Sequence, residues 1–204
     1  MKGAMFESPA RGRRVAIGLG SSIGCRARWI ALGLQSLAHH PDLTCVRSSR
    51  LWASPPMRGG SAKGWFLNAV GLFRSELSPQ ELLAICIDIE DRARRRRAQR
   101  WGDRTLDLDL LVVEGATINE AKLQIPHPGI GDRDFVLRPL LEVWPGAIRT
   151  KQGKTAPLSS FNTKYHAVPV GILAPNKAPV TSSIYRGTHP SPTLQRYRAP
   201  DGSP

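Results

Sequence analysis

Two aspartates set two apart among leucines constrain this chain more than any other feature. The segment Arg100-Trp101-Gly102-Asp103-Arg104-Thr105-Leu106-Asp107-Leu108-Asp109-Leu110-Leu111-Val112-Val113 alternates apolar and polar residues and closes on a β-branched run, which is the pattern of a strand. Strand side chains alternate faces, so Asp107 and Asp109 share one face, about 7 Å apart along the backbone, and Leu106, Leu108 and Leu110 take the other. Aspartate is disfavoured in strands, so a pair of them calls for a cause. Two carboxylates on a rigid strand, with arginines just upstream, suit a hard cation and a polyphosphate, because Mg2+ takes one or two carboxylates together with substrate phosphates. The competing explanation is a wet acidic face whose aspartates merely pair with arginine.

The chain has 204 residues and a net charge of +13, from 29 Lys and Arg against 16 Asp and Glu. That length suits one domain with extensions, and a domain of about 140–150 residues buries roughly 70% of its unfolded surface. The charge implies an anionic partner without naming it: nucleic acid, a membrane surface or a phosphorylated small molecule. Cys25, Cys45 and Cys86 form no CxxC pair and sit in apolar surroundings, so buried thiols in a reducing compartment are expected rather than a disulfide or zinc site. Residues 1–12 read as a loose leader without the apolar core of a secretory signal. No apolar run approaches the ~18 residues of a membrane span. A cytoplasmic monomer is the expectation.

Periodicity predicts a strand at Val15–Leu19, a turn at Gly20–Gly24 and a helix from Cys25 to His39, ended by Pro41. A second strand is expected over Cys45–Ser54 and a third over Phe66–Leu77, joined across a Gly- and Pro-rich loop as a hairpin. Ser78-Pro79-Gln80-Glu81 combines a capping box with proline at the first helical position. The helix that follows carries Leu82, Cys86 and Ile89 on one stripe and is expected to run into an arginine-rich stretch, fraying before Trp101. After the aspartate strand come a short strand near Ile118–Ile125 and a last helix from Pro139 to before Pro145. The order β-α-β-β-α-β is that of an α+β, ferredoxin-like fold with an antiparallel sheet and additional short strands and helices. The domain is expected over residues 13–150. Residues 151–204 hold eight prolines, seven Lys or Arg and one acid. They read as a basic, largely disordered tail with one apolar patch at Ala167–Leu173.

Several motifs need weighing. Gly18-Leu19-Gly20-Ser21-Ser22-Ile23-Gly24 lacks the GxGxxG spacing, and no GxxxxGK[ST] occurs, so dinucleotide-binding and P-loop sites are set aside. Arg92, Arg94, Arg95, Arg96, Arg97 and Arg100 form the densest charge in the chain. A solvated helix face explains such a run equally well. Its place just before the carboxylate strand, however, brings cations and metal-binding anions together, and phosphate oxygens are the natural occupant. Phe66 and Asn68 share a strand face, either as core and edge residues or as an aromatic plate beside an amide fit for a heterocycle. His127 is held between two prolines, and Arg133-Asp134-Phe135 follows closely and offers a second ring.

Together the segments Val15–Gly24, Ser49–Val70, Ile89–Val113 and Ile125–Pro145 resemble the hydroxymethyldihydropterin pyrophosphokinases of folate biosynthesis. The run Arg-Trp-Gly-x-Arg-Thr-Leu-Asp-Leu-Asp-Leu-Leu is the most specific part. Pro-His-x-x-x-x-x-Arg-x-Phe-x-Leu-x-Pro-Leu-x-Glu supports it separately. The resemblance implies a ferredoxin-like fold and transfer of pyrophosphate from ATP to the pterin hydroxymethyl group, releasing AMP, with two Mg2+ ions. It implies that Asp107 and Asp109 hold both metals and that Arg94 and Arg104 engage the phosphates. Glu90, Arg100, Trp101, Arg104, Leu110, His127 and Arg133 fall at ATP-side positions. Phe66 and Phe135 match the aromatics that sandwich the pterin, Asn68 its amide partner, and Ser54, Pro55 and Met57 the loop at its edge. Three residues depart from the family pattern: Asp103 replaces a usual Pro, Ser22 a usual Asn, and Pro128 a residue that is often aromatic.

The implied chemistry is in-line attack by the pterin oxygen on the β-phosphorus, with metals and arginines offsetting charge and ring stacking supplying proximity. The Pro55–Gly64 loop and the arginine-rich loop are candidate lids. The alternatives are a basic nucleic-acid-binding module, which the paired aspartates oppose unless metal-bound, and a catalytically weak relative that binds pterin or protein.

Overall fold

The computed structural model describes residues 12–57, 62, 64–93, 103–144, 146–149, 155–157 and 167–172. Its first strand, β1 (Arg13–Ser21), outruns the expected Val15–Leu19 at both ends and forms a central rail of the sheet. Helix α1 (Arg26–Ala38) follows, with Ala27, Ile30, Ala31, Leu34 and Leu37 buried at helical spacing. Cys25 stands at its N-cap without a side-chain cap bond and is exposed, against the expectation of a buried thiol.

The single strand expected over Cys45–Ser54 is two: β2 (Thr44–Ser48) and β3 (Arg50–Ser54). Ser49 breaks it. Its N–H donates to the Val70 carbonyl at 2.8 Å, and its hydroxyl accepts from Val70 N at 2.9 Å while donating to the Arg50 carbonyl at 2.8 Å. A serine hydroxyl that competes for backbone partners in this way interrupts a ladder. Both strands pair with β4 (Phe66–Ser75), so the expected hairpin forms with a break in one arm.

Helix α2 (Pro79–Arg92) starts on the predicted capping box, with Ser78 and Glu81 satisfying each other's N–H groups. Its expected continuation through Arg94–Arg100 lies outside the described residues. Strand β5 (Asp107–Val113) begins later than the alternation suggests. The strand expected over Ile118–Ile125 is a small hairpin, β6 (Ile118–Asn119) with β7 (Gln124–Ile125). A one-turn 3-10 helix covers Pro128–Ile130.

Helix α3 (Asp134–Val143) starts five residues before the expected Pro139, which lies inside it. Proline at that point forfeits a backbone hydrogen bond. The burial of Leu137, Leu140 and Val143 on one stripe offsets the loss. Beyond residue 150, where disorder was expected, two strands stand: β9 (Thr155–Pro157), paired with β8 (Ala147–Arg149), and β10 (Val168–Ile172), paired with β3. The apolar patch noted at Ala167–Leu173 accounts for the second.

The main sheet runs β10-β3-β4-β1-β5, with β2 also on β4, and every pairing is antiparallel. The β3-β4-β1-β5 core with α1 and α2 is the ferredoxin-like fold. Helices α1 and α2 pack on one sheet face against Val15, Ile17, Leu19, Ala69 and Leu108. Helix α3 packs on the opposite face against Ala16, Val70, Leu72 and Val112. The part of that second face not covered by α3 carries the aspartates. Among the described residues no helix is long and apolar enough to cross a membrane.

Candidate active site

The sheet register sets out the site. Gly20 of β1 lies opposite Asp107 on one side and Asn68 on the other, and Asn68 lies opposite Trp52. Directly opposed residues share a face, so Asp107, Gly20, Asn68 and Trp52 form one row. Asp109, Gly18 and Val70 form the next. A Cβ on Gly20 would stand 3.5 Å from Asn68 Oδ1 and 3.6 Å from Asp107 Cβ. Gly20 therefore leaves a gap between Asp107 and Asn68, while the Leu111 side chain lies over Gly18, and two strand spacings, about 10 Å, separate the carboxylates from the amide.

Asp107 and Asp109 share this face, as alternation predicts, while Leu106, Leu108 and Leu110 are buried in the helix-side core. Among the described residues no group of three or more His, Cys, Asp or Glu gathers to hold a metal. Two hard oxygen donors on one strand can complete a cation's shell only with substrate oxygens or water. The Arg104 guanidinium pairs with Asp107, both side chains being less than one-fifth exposed.

Arg104 is itself gripped by Ser22, the residue just after β1. Ser22 N–H donates to the Arg104 carbonyl at 3.0 Å, and Ser22 Oγ accepts the Arg104 N–H at 2.9 Å. Thr105 Oγ1 donates to the Ala93 carbonyl at 2.8 Å, tying the entry of β5 to the end of α2.

On the far side of the gap Asn68 Nδ2 donates to Ser54 Oγ at 3.0 Å. Ser54 is almost fully buried and serves to orient that amide. Phe66 shares the Asn68 face and is half-buried, as are Pro55, Met57 and Phe135. Phe135 sits in the first turn of α3, on the same side of the sheet.

His127 N–H donates to the Leu111 carbonyl at 2.8 Å, which fastens the Pro-His-Pro loop to β5. His127 Nδ1 accepts from Gly129 N–H at 3.0 Å, so the neutral ring is the Nε2–H tautomer. Arg133 comes to the same place: a Cβ on Gly129 would stand 3.0 Å from both Arg133 Cδ and His127 Cε1.

Two residues expected on the nucleotide side are buried. Leu110 is buried in the core beneath the sheet, leaving only its backbone for a ligand. Glu90 is buried on α2 and accepts the Leu108 N–H at 2.7 Å. It braces the outer edge of β5 between the two aspartates. Arg94, Arg100 and Trp101 lie outside the described residues.

With this geometry in view, a family model described as 7,8-dihydro-6-hydroxymethylpterin-pyrophosphokinase (HPPK) matches residues 16–145. The chain belongs to the HPPK family. It is 39% identical over 135 residues to the 2-amino-4-hydroxy-6-hydroxymethyldihydropteridine pyrophosphokinase of Methylorubrum extorquens, covering 66% of this chain and 85% of that relative. It is 36% identical over 127 residues to the enzyme of the same name from Bacillus subtilis, covering 62% of this chain and 75% of that one. Among solved structures it resembles Plasmodium falciparum HPPK-DHPS wild type with SDX-DHP, at a TM-score of 0.54 and 14% identity over 71% of this chain. The match takes in 43% of that longer chain, so this likeness speaks for the fold alone.

Sequence reading of an HPPK chain missed three contributors: Gly20 as the gap between carboxylate and amide, Ser22 as the grip on Arg104, and Gly129 as the seat for His127 and Arg133. Ser22 stood out only as a departure from the family's Asn. Gly20 carries no local signal, because its partners Asn68 and Asp107 are far along the chain, whereas Gly129 has its partners His127 and Arg133 within four residues.

Proposed function

We propose that this chain transfers the pyrophosphoryl group of ATP to the hydroxymethyl oxygen of 6-hydroxymethyl-7,8-dihydropterin, releasing AMP, in folate biosynthesis. The observation that carries this reading is the row Asp107–Gly20–Asn68. A phosphate-binding edge and a heterocycle-binding amide face one another across Gly20, the one position of β1 between them.

In this reading Asn68, oriented by Ser54, recognises the pterin edge, and Phe66 and Phe135 stack on its ring. Stacking holds the hydroxymethyl oxygen toward the aspartate edge, which replaces a bimolecular encounter by a positioned one. Arg104 passes from Asp107 to a phosphate oxygen as ATP enters, and Arg133 and His127 hold phosphates or ribose from the opposite loop. Arg94, Arg100 and Trp101 belong to the same nucleotide side.

The donor set fits Mg2+: two carboxylates on one face, hard oxygens only, with a cation that can yield to the metal. Asp107 and Asp109 would hold two ions, which supply charge neutralisation for the phosphates and acidify the attacking hydroxyl. The reading extends to a cytoplasmic monomer.

The test is incubation with ATP, Mg2+ and hydroxymethyldihydropterin. AMP and the pterin diphosphate are the expected products, and Asp109→Ala removes turnover. Release of ADP, or AMP formation undiminished in Asp109→Ala, overturns the assignment.

A further inference from the structure

Strand β10 lies beyond residue 145, where the family match ends. Its entry nonetheless touches both walls of the pterin side. Val168 pairs with Ala53, the neighbour of Ser54, whose hydroxyl orients Asn68. Ala167, itself buried, donates its N–H to Asp134 Oδ2 at 2.6 Å. Asp134 is the residue before Phe135.

Asp134 is 1% exposed, and its other oxygen, Oδ1, has no hydrogen-bond partner among the described residues. An acidic residue at a helix start is favoured by the helix dipole while it remains in water. Here the carboxylate is instead turned inward, at the expense of its hydration, to receive the amide of a residue 33 positions downstream.

Helix α3 is thus fastened to the sheet at two ends. At its C-terminal end Glu142 accepts from Arg50 N–H at 2.7 Å and from Trp52 Nε1 at 3.1 Å. At its N-terminal end the link is Asp134 to Ala167. About 10 Å of helix separates Phe135 from Glu142, so a pivot of roughly 5° about the Glu142 end shifts the ring by about 1 Å. A shift of that size is enough to matter for a positioned reaction.

We propose that Ala167–Ile172 is a positioning strap for the pterin wall, acting through Asp134 to set Phe135 against Ser54 and Asn68. The strap lies on the otherwise open edge of β3. Its own outer edge is blunted by Pro169 and by a register shift before Gly171. Val170 packs half-buried against the core and anchors it. Asp134 and Val170 are positioning residues. The proposal rests on the pyrophosphokinase reading of this wall.

The experiment uses the full chain with Asp134→Ala, Asp134→Asn, Val170→Asp and the double variant Asp134→Ala/Val170→Asp. Calorimetric titrations with 6-hydroxymethyl-7,8-dihydropterin and with Mg-ATP are run in parallel with hydrogen exchange at residues 167–172. Asp134→Ala and Val170→Asp each weaken pterin binding about tenfold, the scale of one lost charge-assisted hydrogen bond. Both leave ATP binding unchanged and speed exchange across the strap. The double variant is no worse than either single one, because both release the same element. Asp134→Asn retains an oxygen for Ala167 and behaves as the wild type. Unchanged pterin affinity in Asp134→Ala, equal loss of ATP binding, or a loss that Val170→Asp does not share overturns the strap. A wild-type chain that binds no pterin sinks the pyrophosphokinase reading instead, and the exchange measurement still decides whether Asp134 holds the strand.

Discussion

Ser22 holds Arg104 by both of its backbone groups, at 3.0 Å through its own N–H and at 2.9 Å through its hydroxyl. The chain before β5 therefore cannot slide, and the Arg104 guanidinium is delivered to the aspartate face. Ser22→Ala removes one of the two bonds. Its expected effect is a drop in kcat/KM for ATP of roughly fivefold, in line with about 1 kcal/mol for a neutral hydrogen bond. Ser22→Asn keeps an acceptor and retains activity. Steady-state kinetics at varied ATP checks both, and an unaltered kcat/KM in Ser22→Ala contradicts the role.

Glu90 accepts the Leu108 N–H between the two aspartates, from a buried position on α2. Glu90→Ala leaves an edge-strand amide buried without that partner and destabilises the chain by about 1–3 kcal/mol. Glu90→Gln keeps the acceptor and loses much less. Urea unfolding separates the two variants. If β5 also slackens, half-maximal activity in Glu90→Ala needs more Mg2+ than in the wild type.

Gly129 leaves room for His127 and Arg133 to meet. A Cβ there stands 3.0 Å from atoms of each, so Gly129→Ala pushes the two side chains apart by a few tenths of an ångström. The expected outcome is a KM for ATP raised roughly threefold, with the pterin KM and the unfolding midpoint unchanged. A shift in the pterin KM alone contradicts this placement.

Cys86 gives a signed pH prediction. Burial first, then the negative charges of Glu90 and Asp109, push its thiol up from 9.0 to about 12. The folded state therefore keeps a proton that the unfolded chain releases. Stability from this source is complete below pH 9.0 and falls as pH climbs toward about 12. Denaturant unfolding at rising alkaline pH should fall less steeply for Cys86→Val than for the wild type. At pH 8 a thiol reagent should modify exposed Cys25 in the folded chain and reach Cys86 only on unfolding.

Much of this protein could be read from local pattern. The capping box at Ser78–Glu81, the stripe of Leu82, Cys86 and Ile89, and the shared face of Asp107 and Asp109 each depend on residues within a few positions of one another. Side-chain periodicity and cap chemistry are short-range properties of the backbone, so the chain displays them without folding. The β-α-β-β-α-β order followed from the same signals. Ser49 and Pro139 mark where local reading failed. A hydroxyl that bonds Val70 across the sheet splits an apparently continuous strand, and a buried stripe carries a helix through a proline that seemed to begin it.

What the tertiary structure alone decided is which distant residues meet. Gly20 comes to lie between Asp107 and Asn68, Glu90 reaches the edge of β5, and Ala167 returns to Asp134. None of these pairings leaves a mark on local periodicity. Register between strands is set by the whole sheet and by the helices packed on it, because shifting a strand by one residue exchanges the side chains it presents to the two differently packed faces.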